Sequence, residues 1–174
     1  MRHPHLLYLS DADNHRVLLY DLPKNIIHVV AGHSGIAGSD ATHLFNPFGL
    51  ALNERTNTLY IADRSNDRIQ KYDLNGSSSV TTVAGWGQLR MPSGIQLDPS
   101  GMHMFIADTH NHRILLWLDG ALQGRMIAGN GTAGDSMIQL NSPTQIRFDG
   151  MHNLYVADTN NSRIQRFDLL SNGC

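Results

Sequence analysis

The residues of this chain that could do chemistry are ten histidines, fourteen aspartates and eleven arginines. Aspartate precedes arginine by five positions four times, in the pairs Asp11 and Arg16, Asp63 and Arg68, Asp108 and Arg113, and Asp158 and Arg163. A carboxylate and a guanidinium at this distance can face each other across a hairpin and form charge-assisted hydrogen bonds. Four equivalent pairs spread through a fold cannot converge on one substrate. We therefore assign them a structural role and predict no catalytic residues.

Histidine is the residue type here most suited to binding a metal, and two pairs have the spacing that aims both rings to one side of a strand. These pairs are His3 with His5 and His110 with His112. The slot of His112, directly before the arginine, holds His15, Asp67 and Ser162 in the other copies, so we interpret it as variable and solvent-facing. We predict no metal and no cofactor. The single cysteine, Cys174, excludes a disulfide within the chain.

Composition indicates which elements must position these residues. The 15 acidic residues are 14 Asp and one Glu, and the 13 basic residues are 11 Arg and two Lys. Glu and Lys favour helix faces while Asp, Asn and Gly favour turns, so a turn-rich, mostly β chain is indicated. No apolar run approaches the roughly 20 residues of a membrane span, and no export signal is evident. The net charge of -2 favours neither nucleic acid nor membrane, and the compartment stays undetermined.

The aspartates mark an internal repeat, because they lie 52, 45 and 50 residues apart within segments that align without gaps. Two further signatures keep the same period. Val-Ala-Gly or Ile-Ala-Gly ends at Gly32, Gly85 and Gly129, and a proline opens an apolar alternating run at Pro47, Pro92 and Pro143. Each unit therefore holds four short strands, which is typical of a β-propeller blade.

The units predict one all-β domain over residues 1–174, with blades at about 6–31, 47–84, 92–128 and 143–169. The first unit starts with its second strand and the last stops after its third. The sum is 14 strands in an open partial arc of two complete and two incomplete four-stranded blades. Unpaired end blades favour self-association.

The repeated segments resemble the NHL-repeat family, whose blades carry the pattern Tyr-Val-Ala-Asp-x-x-Asn-x-Arg-Ile, over nearly the whole chain. Departures are Ser10 in place of alanine and Gln145 in place of Gly49 and Gly94, which indicates that the last position needs no positive φ. The family is typically six-bladed, so the resemblance implies a fragment of a larger protein. Such propellers accompany RING and B-box modules of ubiquitin ligases or sensor kinases, and some bind RNA stem loops.

We interpret the chain as a noncatalytic scaffold that binds a macromolecule, with protein as the expected partner. The candidate face combines the tips of the Asp-Arg hairpins with the connections between blades, and its predicted contacts are Arg64, Asp67, Trp86, Arg90, His110, His112, Thr159 and Asn160. Trp86 is either an interface anchor or a cap on the end of its blade.

RNA binding by the same face is the alternative, supported by Trp86 and Arg64 and opposed by the shortage of lysine. A third class is enzymatic, because the peptide-amidating lyase also resembles such a propeller. Its metal ligands do not map onto this chain residue by residue.

Overall fold

The computed structural model describes residues 5–76, 79–85 and 87–168, which form four antiparallel sheets. We call the sheets blades 1 to 4 in chain order. Blade 1 comprises β1 (Leu6–Asp11), β2 (Arg16–Asp21) and β3 (Ile26–Gly32). Blade 2 comprises β4 (Pro47–Asn53), β5 (Thr58–Asp63), β6 (Arg68–Asp73) and β7 (Val80–Ala84). Blade 3 comprises β8 (Ile95–Leu97), β9 (Met104–Asp108), β10 (Arg113–Trp117) and β11 (Arg125–Gly129). Blade 4 comprises β12 (Pro143–Phe148), β13 (Leu154–Asp158) and β14 (Arg163–Phe167).

Each sheet follows chain order, so every strand pairs with its sequence neighbour. The repeat identifies β1 as a second strand and β14 as a third strand. The described residues therefore contain 14 strands, divided as three, four, four and three. This confirms the predicted all-β, open arrangement of two complete and two incomplete blades.

The core lies between blades, because each blade packs flat against the next. Three buried clusters occupy the three junctions and centre on Ile61 between blades 1 and 2, Ile106 between blades 2 and 3, and Ile146 between blades 3 and 4. All six residues of β5 are buried, since both faces of blade 2 are covered, whereas β14 alternates because one of its faces is not. Burial on both faces explains the strands' strong Val, Ile, Leu and Tyr content.

Helical structure among the described residues is limited to four 3-10 turns of three residues, Ala12–Asn14, Arg64–Asn66, Thr109–Asn111 and Thr159–Asn161. Each turn joins the second and third strands of a blade at the place predicted for the hairpin tips. Within the described part of the chain, no helix is long and apolar enough to cross a membrane.

Candidate binding face

The Asp-Arg hairpins hold the segments that connect one blade to the next. We call these segments, residues 33–46, 85–91 and 130–142, the connections, and the side of the molecule where they meet the hairpin tips the connection face. In blade 2, Asp63 Oδ2 accepts hydrogen bonds from Arg68 Nε and Asn66 Nδ2, both at 2.7 Å. Asp63 Oδ1 accepts the backbone N–H of Phe45, in the preceding connection, at 2.7 Å. The hairpin therefore clamps the incoming chain.

Blades 3 and 4 repeat this clamp. Asp108 accepts the N–H of Arg90 at 2.7 Å, and Asp158 accepts that of Asn141 at 2.6 Å. The clamped residue is fixed a second time, because its carbonyl oxygen accepts the N–H at the hairpin tip, from Ser65, His110 and Asn160 in the three blades. Each of these carboxylates therefore accepts an N–H group from outside its own turn. The connection supplies the N–H.

The arginine of each clamp also reaches the connection. Arg68 Nη1 donates to the Ser39 carbonyl oxygen at 2.7 Å, and its Nη2 donates to the carbonyl oxygens of Asp40 and His43. Arg163 makes the equivalent bonds to Asp135, Ser136 and Gln139, and Arg113 to Gln88. Of the five N–H donors of a guanidinium, Arg68 and Arg163 each use four, and Arg113 uses two, in bonds to the aspartate and to the backbone of the connection.

Burial changes the acid-base properties of the clamp in blade 2. Asp63 has no exposed side-chain surface. Desolvation raises the pKa of its carboxyl above the usual 3.8, against the opposing effects of the Phe45 N–H, Asn66 and Arg68. Desolvation also raises the pKa of the neighbouring Tyr72 to about 12, with a smaller contribution from the Asp63 charge. Both shifts have burial between the blades as their largest cause.

The left-handed residue of each hairpin follows the asparagine. The asparagine ends the 3-10 turn, and in blade 2 its amide donates to the aspartate and to the Gly38 carbonyl oxygen of the connection. Positive φ values of 51–56° occur at the next residue, which is His15, Asp67, His112 and Ser162 in the four blades. Polar residues such as His and Asp adopt this left-handed region more readily than most other residues do.

The residue directly before each clamp arginine, which the sequence analysis interpreted as variable and solvent-facing, also bonds the backbone of a connection. His15 Nδ1 accepts the N–H of Asn46 at 3.3 Å, Asp67 Oδ1 that of Met91 at 2.7 Å, and His112 Nδ1 that of Ser142 at 3.1 Å. Each donor residue has a positive φ of 50–54° and precedes the proline that opens the next blade. A single slot can therefore hold His or Asp because it needs only an acceptor. Asp67 and His112, predicted as partner contacts, make these inter-blade bonds.

Each connection also carries a buried leucine that the sequence analysis missed. Leu44, Leu89 and Leu140 are 0%, 4% and 0% exposed and join the three inter-blade clusters. All three lie three residues before the proline, so the signal was present as a threefold Leu-x-x-Pro pattern. The last residues of each connection are therefore fixed, and only their upstream parts are free to vary.

Of the remaining predicted contacts, Arg90, His110, Thr159 and Asn160 are exposed on the connection face. Arg64 lies half-buried with its guanidinium carbon 5.7 Å from the centre of the Phe48 ring, and its buried Nε has no hydrogen-bond partner among the described residues. Thr159 Oγ1 lies 2.6 Å from Thr144 Oγ1. Trp86 and His3 lie outside the described residues.

Exposed apolar side chains of the connections were also missed. Met137 is 85% exposed, Ile138 is 68% exposed and Ile36 is 57% exposed. They belong to the upstream parts of the connections, which the clamps leave uncovered. No pattern of periodicity could have found them, because these parts differ between connections in length and sequence.

Within the described residues, no group of three or more His, Cys, Asp or Glu side chains could hold a metal ion. The nearest arrangement is His33 and His43, whose ring centres lie 4.4 Å apart, with His43 Nδ1 paired to Asp40 at 2.8 Å. The features of the face are thus a clamped backbone, exposed apolar side chains and scattered cationic groups.

Successive antiparallel sheets, two of them with four strands and two with three, pack face to face and are joined by clamped connections, which defines a β-propeller that is open in this chain. Among solved structures, the chain is similar to a crystallised nidogen–laminin complex, with a TM-score of 0.72 and 20% identity over 97% of this chain and 57% of the other. The family model for the NHL repeat matches residues 140–167.

Curated relatives agree with that match. The chain is 31% identical over 94% of its length to the Arabidopsis thaliana chloroplastic protein SUPPRESSOR OF QUENCHING 1, and 30% identical over 62% to human NHL repeat-containing protein 2. It is also 27% identical over 62% of its length to peptidyl-glycine alpha-amidating monooxygenase A of Xenopus laevis. The chain spans 18% of the first two relatives and 12% of the third. It is a member of the NHL-repeat family.

Proposed function

We propose that the chain is a noncatalytic protein-binding module whose connection face contacts the partner. The observation that carries this proposal is the exposure of Met137 and Ile138 on a backbone that the clamp of blade 4 holds in place. Exposed apolar side chains on an ordered backbone bind another protein well, because burying them releases water at little cost in conformational entropy.

The charged groups of the same face would add specificity. No described residue pairs the guanidinium groups of Arg64 and Arg90 by a hydrogen bond or an ion pair. His110 is exposed beside Arg90 and donates its backbone N–H to the Arg90 carbonyl oxygen. Arginine is enriched at binding hot spots. Protein is favoured over RNA because the face offers exposed apolar side chains and no lysine, whereas sequence-independent binding to phosphates depends on many cationic contacts.

The proposal is tested by capture from protein extracts on immobilised chain, quantified by mass spectrometry. The variant Met137→Asp with Ile138→Asp should lose at least tenfold of the partner signal. The matched control is Met102→Asp with Met151→Asp, which changes two methionines, 58% and 69% exposed, in loops on the opposite side of the blades. The control should capture partners as the unmodified chain does, and both variants should keep the thermal midpoint.

Two outcomes would contradict the proposal. Equal capture by both variants would place the working surface elsewhere. Binding to RNA pools that weakens steeply between 50 and 200 mM salt, on the order of 10³-fold for several phosphate contacts, would replace the protein partner with RNA.

A further inference from the structure

A groove of about 770 Å³ lies on the side of the blades opposite the connection face. The strands β4, β8 and β12 all run away from the connections, and β8 contacts the other two, so their last residues and the loops that follow meet at this end. We call this site the inner-strand groove. Its lining residues are Leu52, Glu54, 96–99, Phe105, 148–149 and His152. Many small-molecule sites have this volume and combine apolar side chains with a few polar groups.

The floor of the inner-strand groove is apolar. Phe105 on β9 and Phe148 on β12 meet across the junction of blades 3 and 4, with ring centres 4.6 Å apart in an edge-to-face arrangement. Both rings are half-buried, since they pack against the core cluster of that junction and also line the groove. Leu97 has the same double contact at the junction of blades 2 and 3. Both junctions are internal to the chain, so this floor does not depend on where the chain begins or ends.

Two carboxylates are fixed beside this floor by the loops that follow β8 and β12. Oδ1 of each accepts two backbone N–H groups of its own loop, at 3.0 Å for Asp98 and at 2.9 Å for Asp149. Desolvation of Asp98 is outweighed by the hydrogen bonds of its loop, so the pKa of its carboxyl lies below the usual 3.8. The Asn153 amide and the loop N–H groups likewise lower the pKa of Asp149. Both groups are therefore ionised at neutral pH.

The repeat indicates that the loops do not need these charges. Asn53 has the position of Asp98 and Asp149 in blade 2, and its Oδ1 accepts the N–H groups of Arg55 and Thr56 at 3.1 and 3.4 Å. An amide oxygen therefore closes a loop at this position as a carboxylate does. The two charges, with that of the exposed Glu54, are thus additional to what the loop structure requires.

Negative charge exceeds positive charge at the groove. Glu54, Asp98 and Asp149 line it, and the basic residue among the lining residues is His152. Arg147 lies beside the groove, where its Nη1 donates to the Ile146 carbonyl oxygen at 2.7 Å and lies 3.5 Å from Oε1 of a lining glutamine. The groove therefore offers an apolar floor and an excess of fixed carboxylates, which complements a ligand with an apolar body and a positive charge.

We propose that the inner-strand groove binds a small organic ammonium ion with an apolar body. The apolar body packs on Leu97, Phe105 and Phe148, and the ammonium group pairs with the carboxylates at the ends of the strands. Aromatic rings also attract a cation that lies within about 6 Å of the ring centre. A neutral molecule of the same shape gains only the apolar contacts, and a metal ion gains only the charged ones. The proposal is independent of the connection face.

The test compares two probes of the same shape, 2-phenylethylammonium and the neutral 2-phenylethanol, by NMR titration of the isotope-labelled chain. The ammonium probe should give saturable shifts in the loops 98–103 and 149–153 below about 20 mM, and the alcohol should bind at least about tenfold more weakly. The variant Asp98→Asn with Asp149→Asn keeps acceptors for the loop N–H groups, as Asn53 shows. It should weaken the ammonium probe by about tenfold and leave the alcohol unchanged.

The matched control is Asp13→Asn with Asp135→Asn, which removes the same charge from two exposed aspartates on the connection face and should bind both probes as the unmodified chain does. Glu54→Gln, at an exposed position, removes one charge of the groove without touching a loop hydrogen bond and should weaken only the ammonium probe. Circular dichroism checks that every variant is folded.

Three outcomes would overturn the proposal. The first is equal affinity for the two probes, or no saturable shift with either. The second is an affinity for the ammonium probe that neither Asp98→Asn with Asp149→Asn nor Glu54→Gln reduces. The third is a set of shifts in the same loops with calcium chloride but not with 2-phenylethylammonium, which would replace the organic ion with a metal ion.

Discussion

The hairpins of blades 1 and 2 carry the same three residues in different surroundings. In both, the aspartate Oδ2 accepts the arginine Nε at 2.7 Å, and the asparagine amide bonds the carboxylate. The side chain of Asp11 is 25% exposed, while that of Asp63 is fully buried under the connection. The hydrogen bonds of Asn14 and Arg16 lower the pKa of Asp11, whereas burial raises that of Asp63.

This difference separates two functions of one motif. The Asp-Asn-Arg set closes its hairpin without a preceding connection, since blade 1 forms the ion pair although no preceding connection lies among the described residues. There Arg16 Nη1 donates to Ser34 Oγ of the following connection at 2.8 Å. The aspartate is fully buried only in blades 2 to 4, where a preceding connection packs against the hairpin. The motif therefore stabilises its own hairpin, and it also joins two blades where a preceding connection packs against it. Equivalent positions of different blades can be compared to separate the two effects.

The largest expected effect comes from the isoleucine that follows the clamp arginine. Ile114→Ala removes a side chain with no exposed surface between blades 3 and 4 and should lower the free energy of unfolding by about 2–5 kcal/mol. Ile164→Ala changes the same residue type at the same repeat position, where it is 67% exposed, and should cost under about 1 kcal/mol. Urea denaturation compares the two midpoints. Equal losses would mean that blade 4 is covered in solution.

An intermediate effect is expected at the clamps. Arg113→Ala leaves the fully buried Asp108 without its 2.9 Å arginine partner and leaves the Gln88 carbonyl oxygen with only the 3.3 Å bond from Asn111, and it should cost about 1–3 kcal/mol. Arg16→Ala removes the same pair where the carboxylate is partly solvated, and should cost under about 1 kcal/mol. Thermal denaturation with matched heating rates measures both. A larger loss of stability for Arg16→Ala would contradict the conclusion that burial under a connection makes the clamp more stabilising.

The smallest effect is in the pH dependence. Folding favours the protonated form of Asp63, so its contribution to stability is full below pH 3.8 and falls as pH rises through its raised pKa. Folding favours the ionised form of Asp11, so its contribution is present above pH 3.8 and is lost as pH falls through its lowered pKa. NMR titration of the side-chain carboxyl carbons should give two separate transitions, Asp11 at the lower pH. Coincident transitions would show that the two environments are equivalent.

The fold was predictable because its signals are local and recur. A period near 50 residues, alternating strands and a repeated Asp-x-x-Asn-x-Arg hairpin define the blades without knowledge of their neighbours. The absence of a positive φ at Gly49 could also be predicted, since Gln145 replaces it. The structure adds the reason for the glycine, which is the approach of the Ser93 carbonyl oxygen from the next blade.

The candidate site was less predictable because its contacts join distant residues. His15, Asp67 and His112 have little in common as residue types, and their shared acceptor role is visible only beside the N–H of the next connection. The exposure of Met137 depends on what the clamp covers, which no local pattern encodes. Leu-x-x-Pro is the one inter-blade signal that a threefold comparison of the sequence could have found.

The buried leucines of the connections have a consequence for how such a chain can be altered. Leu44, Leu89 and Leu140 dock each connection just before the next blade, although the connections differ twofold in length. The entropy cost of closing a loop grows only slowly with its length, so added residues upstream of the leucine should be tolerated. The leucine thus separates a segment open to insertion from a framework that is not. A foreign peptide could therefore be displayed upstream of the leucine without disturbing the register of the following strands.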